Sequence, residues 1–388
     1  MLWYTITMML SLRQGQAMLK RVFLLLAHHR IKVIILLLLL ALALVLPLAI
    51  LLSQQHPNGG GRAPAPGVTS SPFPANIDFE SLSSYGTYNP AALANPNIGA
   101  VDVNMNWSTV EPQQGVFNWS PADTEIAAWA ARKKKFTLVV RYIKEGTSGK
   151  NCNSLQFLPV WEIARIQNFC DSDTGTLIPD YFDPTFKADL KAYVQAIAQH
   201  ISHGPYKNNL LYVRIGVGAG GEGFPLMPRG DYAKDKNVLM DYGYTPQNWA
   251  AWQKEMLSSY KSTFLFTTVI YPVNGLDTDH STGQPVQVEN ANWAAANGFG
   301  VGQQGLRPGT NSPLFRSLRS QYPNLLIQYQ TVGAVNSYRG VQADIQAADK
   351  NGAQFIEWYA SDAGERAYQP LFARWQQTVS DKYGLLNS

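Results

Sequence analysis

The chain has 388 residues, 46% of them hydrophobic, and a formal net charge of +4. That length suits one α/β barrel of about 250–300 residues with extensions. The charge is confined to one end: residues 1–53 hold Arg13, Lys20, Arg21, Arg30 and Lys32 and no acid, and taking those five from 31 leaves 26 basic against 27 acidic groups in the rest. A near-neutral body of this kind gives no electrostatic footprint for a nucleic-acid partner.

The basic leader covers residues 1–30, with Met18 as an alternative start. Residues 33–52 then run twenty positions without a charge, and a helix of that length spans about 30 Å of hydrocarbon. The run is longer than a signal-peptide core, and neither an A-x-A pattern nor a lipobox cysteine follows it. The sequence therefore predicts an uncleaved transmembrane anchor over 31–53, with the lipid bilayer as its partner. Basic residues before the span place the N-terminus in the cytoplasm and residues 54–388 outside, a single-pass cell-membrane protein. Residues 54–76 (QQHPNGGGRAPAPGVTSSPFPAN) are proline, glycine and small polar residues. They bury too little apolar area to offset chain entropy and read as a disordered linker.

From residue 77 to 388 strand-like and helix-like segments alternate. Strands are predicted at 101–107 (VDVNMNW), 136–143 (FTLVVRYI), 210–217 (LLYVRIGV), 264–270, 299–303, 325–331 and 354–359, with an eighth near 77–83. Helices are predicted at 122–134, 184–201, 246–260, 312–320 and 341–351, the second carrying Phe186, Leu190, Tyr193, Val194 and Ile197 near period 3.6. Lys133-Lys134-Lys135 reads as a solvated helix end. Such alternation implies parallel pairing through crossover helices, and eight units fit a closed (β/α)8 TIM barrel. No G-x-G-x-x-G follows an early strand, so a dinucleotide fold has no support and no cofactor is expected. Cys152 and Cys170, the two cysteines of the chain, are expected to form a disulfide in an exported domain. Asp277, Asp279 and His280 lack a metal-ligand spacing and read as a polar surface loop.

Residues 107–123 read WSTVEPQQGVFNWSPAD. This resembles the W-S-x-x-E-P-x-x-G-x-(F/Y)-x-W-x-x-x-D segment after the second strand of clan A glycoside hydrolases, with the nearest likeness to β-galactosidase-like barrels of family 42 and related uncharacterised barrels. Trp107, Ser108, Glu111, Pro112, Gly115, Phe117, Trp119 and Asp123 fall in place. Residues 212–224 (YVRIGVGAGGEGF) resemble the fourth strand of that group, whose glycine-rich end presents a glutamate. The resemblance implies sugar-directed hydrolysis at the C-terminal ends of the strands and a carbohydrate partner.

Hydrolysis of a glycoside needs two carboxyl groups flanking the scissile bond. Glu222, in Gly220-Gly221-Glu222-Gly223, is the acid/base candidate. The resemblance puts the nucleophile at the end of strand seven, where this chain has Gln328 and Gln330, amides unfit for the task. Glu357 on strand eight is the substitute, acting as base toward water or, if the strand count shifts by one, as nucleophile. Glu111 reads as structural, paired with an arginine such as Arg141. Asn104, Asn106, Trp107, Arg141, Tyr142, Gln330, Trp358 and Asp362 are the expected substrate-binding residues, since aromatic faces stack on pyranose rings and amides and guanidinium groups meet hydroxyls. Two other readings stand beside a hydrolase: an inactive barrel that binds glycans, and a scaffold of the cell envelope.

Overall fold

The computed structural model describes residues 79–82, 89–144, 152, 156–171, 174–226, 232–274, 278–279 and 284–383. The leader, the anchor over 31–53 and the linker over 54–76 lie outside the described residues. Among the described residues no helix is long and apolar enough to cross a membrane.

Strands rich in Val, Ile, Leu and aromatic residues alternate with helices, four of which share one kind of start. Asn89, Asp183, Thr245 and Ser312 each accept a backbone N–H of the first helical turn with the side chain, and each is followed by a proline. The cap fills an orphan donor, and proline has no N–H to waste there. The strands are β1 (Phe79–Leu82), β2 (Ala100–Asn106), β3 (Lys135–Arg141), β4 (Leu210–Arg214), β5 (Thr268–Pro272), β6 (Gly300–Leu306), β7 (Ile327–Thr331) and β8 (Phe355–Tyr359). All pair in parallel with their chain neighbours, and β1 pairs with both β2 and β8, so the sheet closes into a barrel. Each strand is followed by its helix: α1 (Pro90–Ala94), α2 (Ser120–Ala130), α3 (Pro184–His203), α4 (Pro246–Thr263), α5 (Val286–Ala296), α6 (Pro313–Gln321), α7 (Tyr338–Lys350) and α8 (Gln369–Tyr383). The (β/α)8 architecture expected from the alternation is the one observed.

The differences are local. The strand expected at 264–270 starts at Thr268, because Phe264 ends α4 with its N–H on the Tyr260 carbonyl and its ring in the core. The strand expected at 210–217 stops at Arg214, where the glycine-rich segment turns away. Helices α1, α5 and α8 were not among those expected; α1 is five residues long, and the small residues Ala291, Ala294 and Ala295 on the buried side of α5 give it little apolar contrast.

The main core lies between barrel and helices. On α3 the buried side is Phe186, Leu190, Tyr193, Val194, Ile197, Ala198 and Ile201. A second, small apolar cluster of Ala100, Leu211, Tyr212, Ile270, Leu326 and Phe355 fills the N-terminal end of the barrel. Between β3 and α3 an antiparallel hairpin (Asn168–Asp171 with Thr176–Pro179) is tied to Cys152 by the Cys152–Cys170 disulfide, with Cα atoms 5.9 Å apart. Gln156 adds to this strap, donating to the Gly175 carbonyl (3.1 Å) and accepting from Leu177 N (3.1 Å).

Candidate active site at the barrel mouth

The W-S-x-x-E-P segment builds the loop between β2 and α2. Glu111 spends its carboxylate locally: Oε2 accepts from Trp107 Nε1 (2.7 Å) and Oε1 from Gly115 N (2.8 Å). Its main-chain carbonyl accepts from Trp161 Nε1 (3.1 Å), which binds the next loop to this one. The role is structural, as expected, but the partners are an indole and a backbone amide rather than Arg141. The end of the motif is packed too. Phe117 stacks on Trp119, and Trp119 on His200, whose Nε2 meets Asp123 Oδ1 at 2.8 Å.

The glycine-rich segment after β4 is held from three sides. A side chain at Gly218 would place its Cβ 1.9 Å from the Phe224 carbonyl oxygen, and one at Gly223 would sit 2.0 Å from that of Asn274. Glycine is required because backbone passes against backbone. From α4, Trp252 Nε1 donates to the Val217 carbonyl (3.2 Å), while Trp249 Nε1 (3.1 Å) and Gln253 Nε2 (2.9 Å) both donate to that of Gly223. Glu222 therefore projects from a clamped loop at the C-terminal end of the barrel. It is half-buried, and its Oε2 accepts from Asn274 Nδ2. The Gln304 amide, oriented by its neighbours, puts its nitrogen 2.7 Å from the same oxygen and its carbonyl 2.7 Å from Arg214 Nη1. Arg141, at the end of β3, lies beside this loop: a Cβ on Gly221 would stand 3.4 Å from its Nε.

Below the mouth the barrel interior is polar. Arg214 is fully buried, and its Nη1 donates to Glu357 Oε2 (2.7 Å) and Gln330 Oε1 (2.9 Å), while Nη2 faces Asp102 Oδ2 (3.4 Å). Tyr212 donates to the other oxygen of Glu357 (3.1 Å), and Thr137 to Asp102 Oδ1 (3.0 Å). One guanidinium thus faces two carboxyl groups away from water. Burial, and then the nearby Glu357 carboxylate, push the Asp102 carboxyl up to about 7. Arg214 and Arg141 oppose this rise without cancelling it.

Glu222 and Glu357 accordingly occupy different surroundings. The first lies at the mouth; the second is wholly buried, with both oxygens engaged by Arg214 and Tyr212. Of the expected substrate-binding residues, Asn104 is half-buried on β2, and Asn106 is buried at its last position. Gln330 serves Arg214. Trp107, Tyr142 and Trp358 face the helices instead. Trp107 stacks on Tyr193 (5.2 Å between centroids), Tyr142 meets Phe186 edge-on (5.5 Å), and Trp358 packs on Phe372 (5.3 Å). Their large apolar area goes into the layer between sheet and helices. Asp362 accepts from Val335 N (2.7 Å) and Asn336 N (3.0 Å), fixing the loop before α7. Asp277 and His280 lie outside the described residues.

Arg214, Asp102, Tyr212, Asn274 and Gln304 were not singled out in the sequence. A signal existed for most of them: polar residues at alternate positions of otherwise apolar strands, such as Asp102 and Asn104 or Tyr212 and Arg214, mark an inward face.

No protein-family profile matches the sequence, and no curated protein matches it. Solved structures do. The catalytic domain of β-amylase from Paenibacillus polymyxa aligns over 79% of this chain and 99% of its own, with a TM-score of 0.54 at 12% identity. The exo-β-1,4-mannosidase Op5Man5 from Opitutaceae bacterium strain TAV5 aligns over 80% of this chain and 60% of its own, with a TM-score of 0.48 at 12% identity. At such identity the β-amylase match establishes a shared barrel fold.

Proposed function

We propose that this chain is a glycoside-hydrolase-type barrel, held at the outer face of a cell membrane by residues 31–53, that acts on an external oligo- or polysaccharide with Glu222 as its acid/base group. The observation that carries the reading is the placement of Glu222. It is a half-buried carboxyl at the C-terminal ends of the strands, on a clamped loop, with one oxygen fixed by Asn274. Active sites of such barrels lie at that face, and a positioned carboxyl there meets the need of a glycosidic oxygen for a proton as the C–O bond breaks. The charge-free run over 33–52 supports the anchor. The matched barrel of a β-amylase catalytic domain supports a carbohydrate ligand at the level of fold.

Glu357 is the second carboxylate in this reading, as base toward water. Its burial and its bonds to Arg214 and Tyr212 favour a second reading, a barrel that binds glycans at the cell surface without hydrolysing them. The full chain, assayed on aryl glycosides and polysaccharides beside Glu222→Gln and Glu357→Gln, separates the two. Turnover lost in folded Glu222→Gln supports the hydrolase. Binding without turnover supports the glycan-binding barrel. Turnover retained by both variants removes the site assignment.

A further inference from the structure

Beside Glu222, on the same face of the barrel, a pocket of about 370 Å³ opens between the loops leaving β5 and β6. It is lined by Phe224, Val273, Val288, Leu314 and Phe315 on the apolar side, and by Asn274, Gln287, Gln303, Gln304 and Ser312 on the polar side. Its size falls within the range of small-molecule sites, about 300–1,000 Å³. We infer that this pocket is a subsite for an uncharged sugar residue of the glycan whose linkage meets Glu222. The inference rests on the mouth being a glycan site and adds the charge class of the ligand and the place where it is read.

Two observations carry it. The first is adjacency: Asn274 and Gln304 line the pocket and also contact Glu222 Oε2, so a ring seated there lies next to that carboxyl. The second is the lining. None of the ten residues is charged. Four carry amides, each able to donate and to accept, as sugar hydroxyls require, while the two phenylalanines and three aliphatic side chains suit the apolar faces of a pyranose. A uronate or a sulfated sugar would lose hydration there without gaining a cation from these ten residues. The lining's one hydroxyl, Ser312, has its Oγ accepting from Phe315 N at 3.2 Å, which leaves the amides as the polar groups on offer.

The test is calorimetric titration of the full chain with neutral hexaoses (cello-, manno- and malto-) and with hexamers of galacturonate and of alginate. Val288→Trp and Leu314→Trp fill the pocket from α5 and α6; Gln287→Ala removes one amide and serves if a tryptophan prevents folding. The expected result is binding of a neutral hexaose, weakened at least tenfold by either tryptophan and at least threefold by the alanine, with melting temperatures unchanged. Preference for the anionic hexamers overturns the inference. So does neutral binding that the folded variants leave untouched. In both cases the glycan site at the mouth survives. Binding of neither class overturns the subsite and the proposed function together.

Discussion

Replacing Arg214 by methionine tests the electrostatic account of the barrel interior. The side chain is 1% exposed and donates to Glu357, Gln330 and Asp102. Removing one partner of a buried ion pair strands the other charge and costs about 3–5 kcal/mol. At about 2 °C per kcal/mol for a domain of this size, the melting temperature should fall roughly 6–10 °C near pH 8. The loss should depend on pH. Without the guanidinium, Asp102 loses a charge that favours its ionised form, so in the dry interior it favours the neutral form more strongly and the penalty shrinks as acid supplies the proton. Melts followed by near-ultraviolet circular dichroism from pH 4.5 to 8.5 read both quantities. A fall of less than 2 °C at pH 8, or an equal fall at pH 4.5, would refute the pairing. Asp102→Asn is the complementary probe. Because the carboxyl is raised to about 7 in the fold from an ordinary 3.8, its stabilising protonation is complete below pH 4 and lost as pH rises through 7. The asparagine variant should therefore show a flatter decline between pH 5 and 8.

Glu162 is a second acid of this kind: burial first, and then Asp189, raise it to about 8. Its favourable protonated form is present at low pH and lost as pH rises through 8, so Glu162→Gln should gain on the wild type from pH 6 to 9; parallel curves of melting temperature against pH would count against this. Gly223→Ala places a Cβ 2.0 Å from the Asn274 carbonyl oxygen and should cost about 1–3 kcal/mol by forcing backbone apart. A thermal melt indistinguishable from wild type would show that the loop is not clamped. Serine at Cys152 and Cys170 opens a loop closed over 18 positions, worth roughly 3 kcal/mol in the chain-entropy description. Limited proteolysis should then cut near the Asn168–Pro179 hairpin, which a non-reducing digest of the wild type should spare.

The sequence by itself determined the alternation of strand and helix, the eight strands, the cap-and-proline starts of α3, α4 and α6, and the loop that presents Glu222. These are local: β-branched runs, a period near 3.6, and glycines at one sharp turn act within a few residues of chain. The tertiary structure decided what each side chain faces. In a parallel barrel both faces of a strand are covered, one by the interior and one by helices, so an apolar run such as that of β3 does not disclose its inward side. Trp107, Tyr142 and Trp358 therefore went to the helix layer, while Asp102, Arg214 and Glu357 turned inward. The Arg214–Glu357 contact joins residues 143 positions apart and exists only once the sheet has closed. Closure sets the partner of each buried charge, because a group removed from water must be satisfied by whichever strand lies opposite.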